Sequence, residues 1–216
     1  MTDTSVVVVG GSRGLGRGVA DAARATGARV TVVARAGADE PGDATDESFA
    51  GEVLAKHRPD LLVVTAGAVP VMRPLTAQTW ETFSVNWHAD VRIAFTWLRA
   101  ALRLPLAPGS RVVIFGSGAE RRGSPLSGGY AGAKATVRLM TGYAAAEARD
   151  LGIAMTAVLP GITPGTGVGD TAVTAYGIRP APAPTPASMG AAIVGLPTEG
   201  LEPAYVLDAA GLRPLS

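Results

Sequence analysis

The sequence predicts a single α/β domain built around a parallel sheet that helices cover on both faces. Short apolar runs rich in β-branched residues alternate with longer helical stretches, which is the pattern of βαβ units. Most of these runs are apolar at every position, as in strands that are buried on both faces. The length of 216 residues suits one domain. We therefore expect residues 1–216 to fold together around a sheet of about six strands.

Each predicted element follows from its local pattern. The strands are expected at 6–9, 30–33, 61–64, 112–115, 153–159 and 204–207. A first helix ends near Gly27, and the others are expected at about 48–56, 79–104, 127–151 and 187–194. The segment 163–186 is rich in Gly, Pro, Ala and Thr. We expect it to be irregular, either a disordered surface loop or a lid over a site.

Composition excludes several classes of function. A formal net charge of +1 provides no charged face for nucleic acid or for a charged membrane surface. The absence of cysteine excludes disulfides and thiolate metal sites, and it fits a cytoplasmic protein. No apolar run reaches the roughly 18 residues of a membrane span, and no basic segment precedes the first strand, so we expect no signal peptide. His57 and His88 have no partners at metal-ligand spacing, so we expect no metal site.

Tyr130 and Lys134 are the first candidates for chemistry. They stand four positions apart in a predicted helix, which places both side chains on one face. A nearby ammonium group favours the phenolate and would lower the tyrosine pKa from about 10. Such a tyrosine can exchange a proton with a carbonyl or an alcohol near neutral pH. An accidental pair on a solvated helix is the alternative.

A glycine-rich turn follows the first strand directly. Its glycines are Gly10, Gly11, Gly14 and Gly16. Such a turn lets the backbone approach a pyrophosphate group, which the N-terminus of the following helix attracts. The spacing Gly-x-x-x-Gly-x-Gly differs from the usual dinucleotide fingerprint.

Together, the glycine spacing and the Tyr–Lys pair resemble the short-chain dehydrogenase/reductase family, and the resemblance extends over nearly the whole chain. Ser117, thirteen positions before Tyr130, matches the family's catalytic serine, and Asn86 matches its catalytic asparagine. With Tyr130 and Lys134 they make the four catalytic residues that the resemblance implies. It further implies a Rossmann-type doubly wound sheet and a nicotinamide cofactor.

The resemblance also implies a set of cofactor-binding residues. Ala66 and Gly67 resemble the end of an Asn-Asn-Ala-Gly signature, and Pro160 and Gly161 resemble the turn beside the nicotinamide. The implied set is Gly10, Ser12, Arg13, Gly14, Leu15, Gly16, Arg35, Asp43, Ala66, Gly67, Tyr130, Lys134, Pro160, Gly161, Ile162 and Thr163.

Several positions depart from the family pattern. Val9 stands where the family often has Thr, and Val64 and Thr65 stand where it has two Asn. Replacing both partners of a buried hydrogen bond leaves no unpaired group, which can be nearly neutral. Gly165 occupies the position of a threonine that contacts the nicotinamide carboxamide. Thr163 and Thr166 are both close enough to replace it.

The end of the second strand indicates the choice of cofactor. An NAD enzyme has a carboxylate there that binds the adenosine ribose, whereas this chain has Ala34 followed by Arg35. Arg13 lies in the glycine turn, and two guanidinium groups can bind a 2′-phosphate through charge-assisted bonds. We therefore expect NADP(H), although each Arg could also be merely solvated. Asp43 resembles the family's adenine-binding aspartate.

These residues favour an NADPH-dependent carbonyl reductase or alcohol dehydrogenase that acts on a ketone or secondary alcohol. Tyr130 would be the general acid or base, and Asn86 would anchor a water that links Lys134 to solvent. A dehydratase, an epimerase, an imine reductase and a non-catalytic NADP-binding regulator remain open, because fold does not fix the reaction. The substrate would be chosen by 163–186 and by the segment after Ser117, both expected to be irregular. Within the latter, Glu120, Arg121 and Arg122 either reach a substrate anion or, as we favour, form a solvated loop.

The long helix at 79–104 predicts a homodimer or homotetramer. It carries Trp80, Phe83, Trp87, Phe95 and Trp97, more aromatic bulk than one sheet face requires. In the family the corresponding helix packs against a neighbouring subunit, which gives closed oligomers. The alternative is that all these aromatic side chains face the sheet.

The family's third strand is expected to be missing or vestigial. Only residues 36–42 separate Arg35 from Asp43. A crossover between parallel strands takes roughly a dozen residues or more. The expected strand order is therefore 2-1-4-5-6-7 in family numbering, with Asp43 reaching the adenine from a loop.

Overall fold

The computed structural model describes residues 4–122, 124–178, 182 and 184–215, without the side chain of Arg122. Residues 179–181 and 183, which belong to the segment predicted to be a loop at 163–186, lie outside these ranges. No helix of the described chain is long and apolar enough to cross a membrane.

Within the described residues the sheet has eight strands, in the order β3-β2-β1-β4-β5-β6-β7-β8. All neighbours are parallel except β7 and β8. The strands are β1 (Ser5–Val9), β2 (Arg29–Ala34), β3 (Glu40–Pro41), β4 (Leu61–Val64), β5 (Arg111–Phe115), β6 (Ala154–Pro160), β7 (Ala204–Asp208) and β8 (Gly211–Pro214). The doubly wound parallel sheet, its six main strands and their order are confirmed.

Helices lie on both faces of this sheet. They are α1 (Gly14–Ala25), α2 (Glu47–His57), α3 (Trp80–Asn86), α4 (Arg92–Arg103), α5 (Ala119–Arg122), α6 (Gly128–Ala148), α7 (Gly167–Tyr176) and α8 (Pro186–Val194). A π-helical turn, Trp87–Val91, joins α3 to α4 without a break. Successive strand residues point to opposite faces. Val7 and Val9 therefore pack with α2, α4 and α6, whereas Val6 and Val8 pack with α1 and α8.

Helices α1 and α8 touch through their backbones. A Cβ atom on Gly18 would lie 2.0 Å from the Pro186 carbonyl oxygen, and one on Gly190 would lie 2.1 Å from the Gly18 carbonyl oxygen. Both distances are far below a van der Waals contact, so only glycine fits at the crossing. The close contact fixes α8, which begins where the segment 163–186 ends, against α1, the helix that begins at the glycine turn.

The edge strand β3 is vestigial, as predicted. It has two residues, which pair with Val33 and Ala34 of β2, and no helix lies between β2 and β3. Side chains complete this short edge. The Asp39 carboxylate accepts a hydrogen bond from the Val32 N–H at 2.8 Å. Glu40 binds Lys56 at 2.6 Å and the Nε2 of His57 at 2.7 Å, which ties the edge to α2.

Three segments differ from the sequence-based expectation. The segment after Ser117 and the segment 163–186 were both expected to be irregular, but they contain α5 and α7. Thr166 caps α7 by accepting a hydrogen bond from the Gly169 N–H at 3.0 Å. Glycines in the first turn of α7 concealed it, because their composition is that of a loop. Strand β8 was missed as well, since its hairpin turn lacks the usual Asn-Gly or Asp-Gly signal.

Candidate active site

A cleft of about 1540 Å³ follows the carboxyl ends of β1, β2, β4, β5 and β6. Ligands of open α/β sheets bind outside this edge, where the loops after neighbouring parallel strands meet. The volume exceeds the roughly 300–1,000 Å³ of an ordinary small-molecule pocket. It can therefore hold a dinucleotide together with a second small molecule.

The structure brings nearly all of the predicted site residues to this cleft. The lining includes Ser117, Tyr130, Lys134 and every residue of the predicted cofactor-binding set. Asn86 does not line the cleft and is buried behind it. Arg121 also lines the cleft, whereas the side chain of Arg122 lies outside the described part of the chain.

The glycine turn leaves the start of α1 open towards the cleft. A Cβ atom on Gly10 would lie 2.6 Å from the Ala66 nitrogen, and one on Gly16 would lie 2.3 Å from the Gly10 carbonyl oxygen, so the turn packs backbone against backbone. No side chain caps α1 at Arg13. The first N–H groups of a helix have no partner within the helix. This uncapped turn fits a bound pyrophosphate group.

Arg13 and Arg35 line the cleft from the segments that follow β1 and β2, and Asp43 lines it from the segment that follows β3. Both arginines are exposed, and neither is ion-paired with a carboxylate of the described residues. Asp43 accepts hydrogen bonds from the Thr45 N–H at 2.8 Å and the Thr45 hydroxyl at 2.9 Å. These bonds, assisted by the charges of Arg92 and Arg35, lower the pKa of the Asp43 carboxyl. Two free guanidinium groups are therefore available for an anion.

Tyr130 and Lys134 lie side by side on α6. The Lys134 ammonium is 5.9 Å from the centre of the Tyr130 ring. It donates a hydrogen bond to the Phe115 carbonyl oxygen at 2.9 Å. That carbonyl belongs to the last residue of β5, two positions before Ser117. The ends of α6 and β5 thus bring the three side chains together.

Asp90 is a member of this cluster that the sequence analysis did not single out. It is buried in the π-helical turn, and its Oδ2 lies 3.1 Å from the Lys134 nitrogen. Its Oδ1 accepts hydrogen bonds from the Ala68 N–H at 2.8 Å and the Asn86 amide at 3.3 Å. The one available signal was an acidic residue four positions after Asn86 in an apolar helix.

Asn86 therefore reaches Lys134 through Asp90. The Asn86 amide also donates a hydrogen bond to the Ala68 carbonyl oxygen at 2.8 Å. The bond to Ala68 ties the long helix to the loop after β4, whereas the bond to Asp90 lies within the helix. The expected role, in which Asn86 anchors a water beside Lys134, stays a prediction.

The expectation of a lowered tyrosine pKa was wrong. Burial raises the pKa of the Tyr130 phenol, and this effect outweighs the charge of Lys134 and the hydrogen bond with Ser117, which both lower it. The negative charges of Asp90 and Glu120 act in the same direction as burial. The four-residue spacing predicted the Lys134 ammonium beside the phenol. It could not predict the carboxylates of Asp90 and Glu120, which act on the phenol pKa in the opposite direction.

The interpretation of Glu120 as part of a solvated loop was also wrong. Its side chain is 3% exposed and forms an ion pair with Arg138 of α6. Burial raises the pKa of the Glu120 carboxyl, while Arg138 lowers it. Its Oε2 has no hydrogen-bond partner among the residues that the structure describes. Glu120 thus fastens α5 to α6, whereas the neighbouring Arg121 is exposed and lines the cleft.

The two threonines after β6 have different surroundings. The Thr163 hydroxyl faces inward, where its single proton is shared between two acceptors, the Gly161 carbonyl oxygen at 3.1 Å and the Met189 sulfur at 3.0 Å. The Thr166 hydroxyl caps α7 and donates to the Thr163 carbonyl oxygen at 2.8 Å. Both residues line the cleft, but both hydroxyls are already bonded within the protein.

The fold and the cleft define a doubly wound α/β protein with a nucleotide-binding turn and a Tyr–Lys pair at one site. The family model described as enoyl-(acyl carrier protein) reductase matches residues 9–174. The chain belongs to the short-chain dehydrogenase/reductase family, a family of oxidoreductases.

Its relatives carry related names. Sorbitol dehydrogenase of Cereibacter sphaeroides is 28% identical over 74% of this chain and 71% of that protein. An NADPH-dependent aldehyde reductase-like chloroplastic protein of Arabidopsis thaliana is 27% identical, covering 72% and 70%. The structure of a short-chain dehydrogenase from Burkholderia cenocepacia J2315 in complex with NADP superposes with a TM-score of 0.77 at 22% identity, over 94% of each chain.

Proposed function

We propose that the protein is an NADPH-dependent carbonyl reductase that interconverts a ketone and a secondary alcohol. The observation that carries this proposal is the meeting of Ser117, Tyr130 and Lys134 in the same cleft as the glycine turn. A cofactor held at the turn and a substrate held at Tyr130 would share one cavity. Residues 1–216 would then act as a single catalytic domain.

The side chains divide the work of the reaction. NADPH, when bound, supplies the hydride. Ser117 donates a hydrogen bond to the substrate oxygen and stabilises the negative charge that develops there. Tyr130 donates its phenolic proton to that oxygen in reduction and accepts it back in oxidation. Lys134 holds the nicotinamide ribose and stabilises the phenolate that Tyr130 becomes.

The preference for NADP(H) rests on the two unpaired arginines. Arg13 and Arg35 would bind the 2′-phosphate through charge-assisted hydrogen bonds, and Ala34 places no carboxylate against it. Asp43 would bind the adenine from its loop. One relative is named as NADPH-dependent and one similar structure contains NADP, which supports the same choice.

The segment around α7 would select the substrate. Tyr176 of α7 donates or accepts a hydrogen bond with the Ser124 hydroxyl at 2.5 Å, and its hydroxyl accepts another from the Leu126 N–H at 3.3 Å. These contacts fasten α7 over the substrate side of the cleft. The described walls there are mainly apolar, including Val69, Met72 and Ile178. A largely apolar carbonyl compound fits them best.

A homodimer or homotetramer is the proposed assembly. Trp97 faces the sheet and is fully buried, but Trp80 and Phe95 on the same long helix are 69% and 46% exposed. Tyr143 on the neighbouring α6 is 72% exposed. Large exposed aromatic side chains on adjacent helices are typical of a protein–protein interface. A cytoplasmic location stays a prediction.

A screen of ketones and aldehydes with NADPH tests the proposed function. We expect loss of NADPH absorbance with at least one largely apolar ketone and no loss with the Tyr130→Phe variant. A binding-only protein would bind NADPH without turnover of any compound in the panel. A dehydratase or an epimerase would convert its substrate with no net consumption of NADPH, and an imine reductase would respond only to imines.

A further inference from the structure

Asp90 and Lys134 form a buried pair of opposite charges directly behind Tyr130. The three donors on the Asp90 carboxylate are the Ala68 N–H, the Asn86 amide and the Lys134 ammonium. Two of these donors meet Oδ1, and the ammonium meets Oδ2 at 3.1 Å. The Asp90 carboxylate is therefore held directly against the ammonium that is to serve the tyrosine.

The surroundings hold this pair in one geometry. A Cβ atom on Gly67 would lie 2.8 Å from the Asp90 Oδ2, so the backbone after β4 packs directly on the carboxylate. The Lys134 nitrogen has a second bond, to the Phe115 carbonyl oxygen. Both side chains also line the cleft, so the ammonium remains within reach of a ligand there.

A buried ion pair of this kind is weak evidence for a role in stability. Removing two charges from water costs free energy that their attraction often does not repay, and an apolar pair frequently stabilises a fold as well or better. The Ala68 N–H and the Asn86 amide need an acceptor at this position, but an uncharged amide oxygen could also supply it, so these contacts do not require a charge. Its location against the catalytic lysine points to the chemistry of the site.

We propose that Asp90 is a positioning residue that fixes Lys134 and offsets part of its charge, so that Tyr130 keeps its proton up to a higher pH. The inference rests on the proposed function, because this proton is the one that carbonyl reduction would use. A neutral phenol is the form that donates a proton in reduction, whereas oxidation needs the phenolate. A lysine without a counter-charge would favour the phenolate.

Other charged groups near the Asp90–Lys134 pair come from α5 and α6. Glu120 from α5 adds a second negative charge, but it is ion-paired with Arg138 of α6, and Arg121 of α5 is exposed to solvent. Burial lowers the pKa of the Lys134 ammonium, but the charges of Asp90 and Tyr130 and the hydrogen bond to Asp90 raise it more. Asp90 also contributes to the raised pKa of the Tyr130 phenol. Removing its charge should therefore let the Tyr130–Lys134 pair release its first proton at lower pH.

A titration without cofactor or substrate tests the inference directly. The tyrosinate absorbance of the unmutated protein minus that of Tyr130→Phe isolates Tyr130 among the four tyrosines. We expect Tyr130 to titrate at or above its ordinary pKa of about 10. A midpoint more than about one unit below that value would overturn the proposal. Because the titration needs no turnover, a protein that reduces no carbonyl would refute the proposed function and leave this result standing.

The Asp90→Asn variant supplies the second measurement. It keeps the shape of the side chain and an acceptor for the Ala68 N–H but removes the charge. We expect the tyrosinate midpoint, and the alkaline limit of the pH profile of kcat/KM for reduction, to move down by about one unit or more. If Asp90→Asn does not fold, Asp90→Ser is measured in its place, because its smaller side chain leaves room for a water beside Lys134.

The matched control is Glu40→Gln, which removes the carboxylate from the chain's other lysine pair, that with Lys56. Glu40 lies at the sheet edge and does not line the cleft. The tyrosinate midpoint and the alkaline limit of the kcat/KM profile should therefore keep their values in the unmutated protein. If folded Asp90 variants lose melting temperature but keep the midpoints of the unmutated protein, Asp90 has only a structural role and the proposal fails.

Discussion

Replacing Arg35 by alanine should reduce the preference for NADPH over NADH. Arg35 lies in the cleft beside Ala34, with no carboxylate partner among the described residues. Its side chain is exposed, so a charge-assisted bond to a phosphate belongs at the low end of the usual range, about 1.5 kcal/mol. That free energy corresponds to about a tenfold change in dissociation constant. If Arg13 contributes equally, the two arginines together supply about a hundredfold preference for NADPH.

Fluorescence titration of the unmutated protein and the variant with each cofactor measures this effect. Arg35→Ala should weaken NADPH binding about tenfold and leave NADH binding nearly unchanged, because NADH lacks the 2′-phosphate. The control is Arg17→Ala. Like Arg35, Arg17 is an exposed arginine, but it lies on α1, pairs with Asp21 and does not line the cleft. Equal dissociation constants for both cofactors in the unmutated protein would refute the assignment. So would an Arg35→Ala variant that loses affinity for both cofactors equally.

Three other outcomes follow from the structure. Tyr130→Phe should abolish turnover with little change in NADPH affinity, whereas Lys134→Ala should reduce both; retention of most activity by Tyr130→Phe in a steady-state assay would contradict the mechanism. Gly190→Ala should lower the free energy of unfolding by about 1–3 kcal/mol in a urea titration, because its Cβ would lie 2.1 Å from the Gly18 carbonyl oxygen. Light scattering at micromolar concentration should give the mass of a dimer or tetramer, and Trp80→Ser should shift it towards the monomer. A monomeric mass for the unmutated protein would refute the proposed interface.

Local spacing was sufficient to predict the parts of the site that lie within one element. Tyr130 and Lys134 share a face of α6 because of their four-residue separation, and the glycine turn follows from its position between strand and helix. The length of the segment 36–42 alone predicted the reduced β3, since so few residues leave no room for a crossover between parallel strands. These are properties of short stretches, so the sequence carries them directly.

The missed features depend on contacts between distant segments. Asp90 meets Lys134 only because the π-helical turn packs against α6 and the loop after β4. Glu120 is buried where its carboxylate meets Arg138, which belongs to another helix. The pKa of the Tyr130 phenol reflects burial and both carboxylates together. No spacing rule applied to Tyr130 and Lys134 alone could give its direction.

The two ends of the segment 163–186 are both held at helix α8, which itself packs on α1. Thr163 at its start bonds to Met189 of α8 at 3.0 Å, and α8 at its end is locked onto α1 by Gly190 and Gly18. The closure free energy of a loop changes slowly with its length, so the stretch between these anchors can be exchanged for a longer or shorter one without disturbing the sheet. Under the proposed function, the sheet and the glycine turn would hold the cofactor, and this exchangeable stretch would select the substrate. Replacing the stretch with that of another family member would then change the substrate and leave the cofactor site in place.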